Sequence, residues 1–396
     1  MAKGNIKRSL ILIFLGYSCI YLDKNIISMS VIPMALDLGM NATQKGLILS
    51  SFFLGYMLLQ IPFGFLGNRI GSRKILISGI LLVGILMVSL GFGFSFMYLL
   101  VIRFVSGAFA HAGYPSGVSA YVTQEVELEK RGAVQSTMIA SSGFAGIIGP
   151  LLAAPLITSL GWEKTYYIFG GIVLVIGLFM SKQIPKTSGQ PLEYSQQGSI
   201  SFFSVIKDRN VRVMVLSSFC INGAACGMTG WTASYLVDEF SLTMNQMAVM
   251  TALIGLVMMI SAIFSGSVIG RRLVGREKQI ILSVSILGAL GAYSLVKSDS
   301  LVLSMILLAI SVVAASVGFT TLMSLTVKLF NEHEVATKYS VINSIGVAGG
   351  FFAPMIIGWL VNISGSYDGA FSFISISFIL TGLISMGIRL KSNSTQ

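Results

Sequence analysis

The stretch Gly46 to Gly67, GLILSSFFLGYMLLQIPFGFLG, holds no charged residue and runs at once into Asn68-Arg69-Ile70-Gly71-Ser72-Arg73-Lys74. At ~1.5 Å rise per residue this run forms a helix about 33 Å long, enough to cross a hydrocarbon core of about 30 Å. The same alternation of apolar run and short polar break recurs along the chain. Coarse spans are 9–38, 46–67, 75–94, 97–122, 132–160, 165–181, 211–237, 246–270, 279–297, 301–327, 338–363 and 369–389. The expected fold is therefore an all-α polytopic membrane protein with twelve transmembrane helices.

Composition excludes the alternatives. Of the 396 residues 54% are hydrophobic and only 10% charged, with a mean hydropathy of +0.85, whereas soluble domains carry about 25% charge. The 43 glycines and 20 methionines suit helices that pack closely in lipid, and the alternating ten-residue segments of a β-barrel are missing. A net charge of +11 would suggest nucleic acid in a soluble protein. Here the cations lie in short breaks between apolar runs, where topology accounts for them. Cys19, Cys220 and Cys226 all lie within apolar runs and read as packing residues. Lys3, Lys7 and Arg8 ahead of the first run imitate a signal peptide, but no small-residue cleavage site follows, so the run reads as an uncleaved first span.

The longest polar interval, rich in Lys, Ser, Gln and Pro, divides the spans six and six. The expected organisation is a bundle over 1–181, a linker over 182–210 and a second bundle over 211–396. With the N-terminus in the cytoplasm, twenty-one of the 26 Lys and Arg fall on the inner side. Only Lys45, Lys164 and Lys297 fall outside, so both termini are expected in the cytoplasm of a bacterial-type inner membrane. The halves also repeat. Pro150 and Pro354 lie at an offset of 204 and each precedes a glycine turn, at Gly161 and Gly365, while GFLGNR at 64–69 recurs as GSVIGR at 266–271. Such a duplication of six spans is the architecture in which two bundles rock around a midplane site.

Gly64, Asn68, Arg69, Gly71, Arg73 and Lys74 together form a glycine turn with three cations. This pattern resembles the gating-loop motif of the major facilitator superfamily, in which glycine, three residues, an acid, a base, any residue, glycine, any residue and two bases follow in order. Asn68 stands where the acid usually sits, which weakens the expected charge clamp. Gly143, Gly146, Gly149 and Pro150 in the fifth span partly resemble the superfamily's antiporter signature, but Ala153-Ala154 replace its final glycines. Small residues at this spacing are more simply a helix-packing face.

Ionisable groups inside apolar spans cost a few kcal/mol each unless they face a cavity or a partner. Asp23 and Lys24 lie near the middle of the first span, and Arg103 and His111 lie in the fourth. A structural ion pair of Asp23 with Lys24 or Arg103 is one reading. The excess of cation over acid favours another, an anionic ligand. Tyr21-Leu-Asp23-Lys24, followed by Ser28, together with Gly55 to Gly64, resembles the anion:cation symporter family, which imports sugar acids and other organic anions. That resemblance implies substrate contacts at Tyr21, Lys24, Tyr56, Arg103, Asn343 and Ser142, with proton coupling at Asp23. Where proton-coupled members carry a glutamate seven residues after the arginine, this chain has Ala110. His111 adjoins it, and one residue turns a helix by about 100°. As a titratable group His111 suits a proton relay, and as a buried imidazole it suits simple packing.

Trp231 and Tyr235 near one end of the seventh span fit interfacial anchors, and Asn222 and Asn362 fit bridges between helices. No phosphate-cradling glycine loop, His/Cys cluster or nucleotide domain is legible, so neither an enzyme nor a cofactor nor a metal is expected. The expectation is a secondary transporter importing a small organic anion with a coupling proton or sodium ion, working in the lipid bilayer as a monomer without nucleic acid. The alternative is a proton-coupled efflux antiporter for drugs or metabolites.

Overall fold

The computed structural model describes residues 3–185, 202–265 and 275–390, with the side chains of 64–69 and of scattered further residues outside that description. All regular secondary structure among the described residues is helical. Among the described residues twelve helices are long and apolar enough to cross a membrane. They are span one (Ile6–Asp37), two (Ala42–Phe63), three (Ser72–Leu90), four (Phe96–Glu125), five (Ala140–Leu160) and six (Trp162–Gln183), then seven (Arg209–Phe240), eight (Met244–Ser261), nine (Glu277–Leu295), ten (Leu301–Thr326), eleven (Thr337–Ser364) and twelve (Asp368–Ser385). Large apolar side chains such as Leu36, Phe94, Val175 and Val302 point outward, which lipid tolerates and water does not. The protein is a multi-pass membrane protein.

Three boundaries differ from the sequence reading for a local reason. The helix of span two continues to Ile70, so the motif expected as a loop is mostly helix and only Gly71 breaks it. Gly71 does so at φ 89°, a left-handed conformation that a side chain would resist. Span eleven is interrupted at Val347, between helices Glu332–Gly346 and Ala348–Ser364. Span four is not a single α-helix, as described below.

Matching contacts recur at helix ends along the chain. Asn41 and Gln44 exchange side-chain and backbone hydrogen bonds at the start of span two, and Thr243 and Gln246 do the same at the start of span eight. Gly71 and Gly275 share φ values of 89° and 87°, and Gly161 and Gly365 are likewise positive. Ser95 caps span four by accepting from the Tyr98 N–H, as Ser300 caps span ten by accepting from that of Leu303. Arg73 donates to the carbonyls of Ser181 and Ile184 at the end of span six. Lys278 donates to those of Met386 and Ile388 beyond span twelve. One junction keeps its place and changes its chemistry: Ser72 donates to Gln124, whereas Lys328 pairs with Glu277 at 2.8 Å. The second copy of the motif, at 266–271, lies outside the described residues.

The chain divides into two compact units, Met1–Ser195 with Thr232–Leu256, and Gln196–Trp231 with Val257–Gln396. The first differs from the expected bundle by taking in 232–256. Within it Gly255 meets Gly146 of span five backbone to backbone, its Cβ position only 2.7 Å from the Gly146 carbonyl oxygen. Gly146 of span five is therefore a close-packing position. In the second unit Val211, Met214, Ile281, Leu322 and Ile342 build a fully buried apolar cluster.

Candidate functional site

Span four carries Arg103 on an α-helix, Phe96–Val105, and then widens into a π-helical turn, Ser106–His111, before Tyr114–Glu125 resumes the α form. In an unbroken α-helix, residues eight apart point about 80° away from one another. The wide turn absorbs one extra residue, and Arg103 and His111 consequently face the same neighbour, span one. The small residues of the turn make room. A Cβ on Gly107 would lie 2.0 Å from the Phe52 carbonyl oxygen, and one on Gly55 would lie 2.1 Å from that of Phe104, so spans two and four touch through bare backbone.

Asp23 is the centre. Its Oδ2 atom lies 3.3 Å from Arg103 Nη1, 3.3 Å from His111 Nε2 and 3.1 Å from Ser106 Oγ, which donates to it. All four side chains are buried. The ion pair forms with Arg103 across 80 residues of chain, while Lys24 holds its ammonium 5.0 Å from the centre of the Phe53 ring. His111 Nε2 also lies 3.1 Å from the Ile20 carbonyl oxygen, and its Nδ1 lies 3.0 Å from the Ser106 carbonyl oxygen and 3.3 Å from Ser106 Oγ. Phe52 of span two closes one side, edge-on to His111 and 4.8 Å from the Arg103 guanidinium. Tyr166 of span six is buried beside the pair, within electrostatic reach of both Arg103 and Asp23. Buried charges need partners, since removing one member of such a pair costs about 3–5 kcal/mol. One acid here serves two bases, and Arg103 Nε has no hydrogen-bond partner among the described residues.

The other sequence-predicted residues have the following surroundings. Tyr21, half-buried, donates to Tyr17 at 3.4 Å with the rings 4.9 Å apart. Tyr56 stacks on Phe52 and accepts from Gln60. Ser142 is half-buried on span five. Asn343 is half-buried in the second unit, its carbonyl accepting from the Val347 N–H at the break of span eleven. Of the motif, Arg73 ties two helix ends and Lys74 is exposed, whereas Gly64 and the side chains of Asn68 and Arg69 lie outside what the structure describes.

Two expectations are corrected. Trp231 and Tyr235 are 1% exposed rather than interfacial, and the Trp231 indole donates to the Pro354 carbonyl. That carbonyl lies within the helix Ala348–Ser364 of span eleven. Asn222 turns back on its own helix, donating to Ser218. His111, left open between relay and packing, belongs to the charged cluster. Ser106 escaped the sequence reading altogether, because a lone serine in an apolar run carries no signal until the π turn aims it.

A buried ion cluster where the broken helix of span four faces span one, in a protein of twelve candidate spans, is the kind of feature a membrane carrier builds. Residues 13–354 match the model of the Major Facilitator Superfamily, and the chain belongs to that family of transporters. It is 23% identical to the hexuronate transporter of Bacillus subtilis strain 168, over 91% of this chain and 89% of that one. It is also 23% identical to the "Probable galactarate/D-glucarate transporter GudP" of Escherichia coli K12, over 94% and 91%. Among solved structures, a bacterial homolog of the human lysosomal transporter Spinster in an inward-facing, occupied conformation superposes with a TM-score of 0.82. That match covers 98% of this chain and 97% of that one at 15% identity, and it bears on the fold alone.

Proposed function

We propose that the protein imports a small organic anion of the sugar-acid class together with a proton. The observation that carries this reading is the imbalance at Asp23, where one buried carboxylate faces both Arg103 and His111. An interior with more base than acid attracts an anion. Arg103 and Lys24 draw the substrate carboxylate, Tyr21, Tyr56, Ser142 and Asn343 bind its hydroxyls, and Asp23 and His111 carry the coupling proton. The relatives named for hexuronate and for galactarate or glucarate support the same substrate class. Two six-span bundles, 1–181 and 211–396, alternate access about the linker 182–210. Both termini lie in the cytoplasm of a bacterial inner membrane, a reading that the Lys and Arg counts support, and the protein works as a monomer.

The test is uptake into proteoliposomes of labelled glucuronate and galactarate, with glucose and a lipophilic cation as controls. An inward proton gradient should accelerate sugar-acid uptake, and unlabelled sugar acids should compete. Proton-driven extrusion of the lipophilic cation, with no sugar-acid response, would overturn the reading. Acceleration by a sodium gradient alone would overturn its coupling step.

A further inference from the structure

We propose that Ser106 is a positioning residue for the proton: its single hydroxyl hydrogen moves from Asp23 Oδ2 to His111 Nδ1 when the imidazole gives its proton up. The functional meaning of this switch rests on the proton-coupling reading above, but the hydrogen count stands on the geometry. Carbonyl oxygens only accept hydrogen bonds. Each imidazole nitrogen faces one, Nε2 the Ile20 carbonyl at 3.1 Å and Nδ1 the Ser106 carbonyl at 3.0 Å. Only an imidazolium with hydrogen on both nitrogens satisfies this arrangement. In that state the Ser106 hydroxyl is free to donate to Asp23, as it does at 3.1 Å.

When His111 is neutral, the remaining hydrogen stays on Nε2, because both groups within reach of that atom, the Ile20 carbonyl and the Asp23 carboxylate, are acceptors. The bare lone pair of Nδ1 then opposes a carbonyl oxygen. Among the described residues the donor within reach is Ser106 Oγ, at 3.3 Å. A rotation about the Cβ–Oγ bond brings its hydrogen across. The balance is simple: one proton leaves Nδ1 for the bulk, no other bond breaks, and the Asp23 carboxylate loses both its Ser106 donor and a neighbouring positive charge. The remaining charged groups facing the imidazole are Asp23 from span one and Arg103 from span four itself, with Tyr166 of span six beside that pair, while span two presents the Phe52 ring. Losing the proton thus leaves Arg103 as the principal partner of Asp23.

The chain has two histidines, His111 and His333, so His333→Gln with ¹⁵N-histidine labelling leaves a single imidazole signal from the full-length protein in nanodiscs. Raising the pH should strip the hydrogen from Nδ1 while Nε2 keeps its own. Ser106→Ala removes the donor of the neutral state and a competing donor on Asp23, and both losses favour the imidazolium. The Nδ1 hydrogen should therefore persist to a pH about one unit higher in that variant. Ser106→Thr, which keeps a hydroxyl, should return the parent behaviour, a rescue that a purely structural serine would not show. Loss of hydrogen from Nε2 first, or an unchanged or lower transition in Ser106→Ala, would overturn the proposal. The parent measurement decides even where Ser106→Ala fails to fold. No substrate or gradient enters it, so a protein that carried another cargo would fail the uptake test and leave this result standing.

Discussion

Replacing Gly107 by alanine puts the site's scaffold under a definite load. Its Cβ would stand 2.0 Å from the Phe52 carbonyl oxygen, 2.8 Å from the Phe52 carbonyl carbon and 3.0 Å from the Tyr56 nitrogen. Close carbon-to-oxygen contacts across helix interfaces are about 3.3 Å, so the backbones must part by about 1 Å. All three obstacles are main-chain atoms, and no rotamer change relieves them. Sliding is blocked as well, because Gly55 approaches Phe104 and Ala108 equally closely from the other side of the crossing. Overpacking of this kind costs about 1–3 kcal/mol, and the upper end applies where only backbone can move. Thermal unfolding of the purified protein in mild detergent, followed by tryptophan fluorescence or size exclusion, measures it. Gly171→Ala is the comparator, since a Cβ there meets nothing within 4 Å and leaves stability unchanged or slightly raised. A displaced span four also carries Arg103 and His111 away from Asp23, so uptake should fall further than the surviving folded fraction. Gly107→Ala melting with Gly171→Ala would refute the claim that bare backbone contact holds the π turn.

Asp23→Asn should abolish accumulation against a gradient while substrate counterflow continues, because the uncharged amide still fills the place where three donors converge; continued accumulation would move the coupling role elsewhere. Arg103→Ala and Lys24→Ala should each abolish sugar-acid uptake with expression retained, and Lys24→Arg should keep part of it, all read by initial uptake rates. Trp231→Phe, which removes the donor to the Pro354 carbonyl, should lower stability by about 1 kcal/mol in the same melting assay. Asp208, just ahead of span seven, gives a pH signature. Burial pushes its carboxyl up, but hydrogen bonds from Lys338 and from the Asn210 and Val211 N–H groups, with the Lys338 charge, hold it below the usual 3.8. A depressed folded value means that its contribution is fully present above the ordinary carboxylate range and is lost as pH falls through the folded value. Asp208→Asn should flatten the acid limb of the melting temperature below about pH 4.

The twelve spans and their order were legible because each is a property of local composition. A run of some twenty uncharged residues without the alternation of a barrel strand must form a helix in lipid, since only helices and closed barrels satisfy the backbone there. Asp23, Lys24, Arg103 and His111 stood out for the same reason, as charges in places where charge is costly. The pairing of Asp23 with Arg103 over Lys24 was decided by packing across 80 residues of chain. The part played by His111 turned on one inserted residue in a π turn, a register change that reverses a face assignment based on 100° per residue and that glycine and alanine in the sequence merely permit. Likewise Trp231 looks interfacial by its place in the span and is buried, its indole N–H donating to the Pro354 carbonyl of span eleven. Composition determines which segments enter the membrane and which charges must be explained there. Directional contacts between segments far apart in the chain decide which charge meets which, and those exist only once the helices have packed.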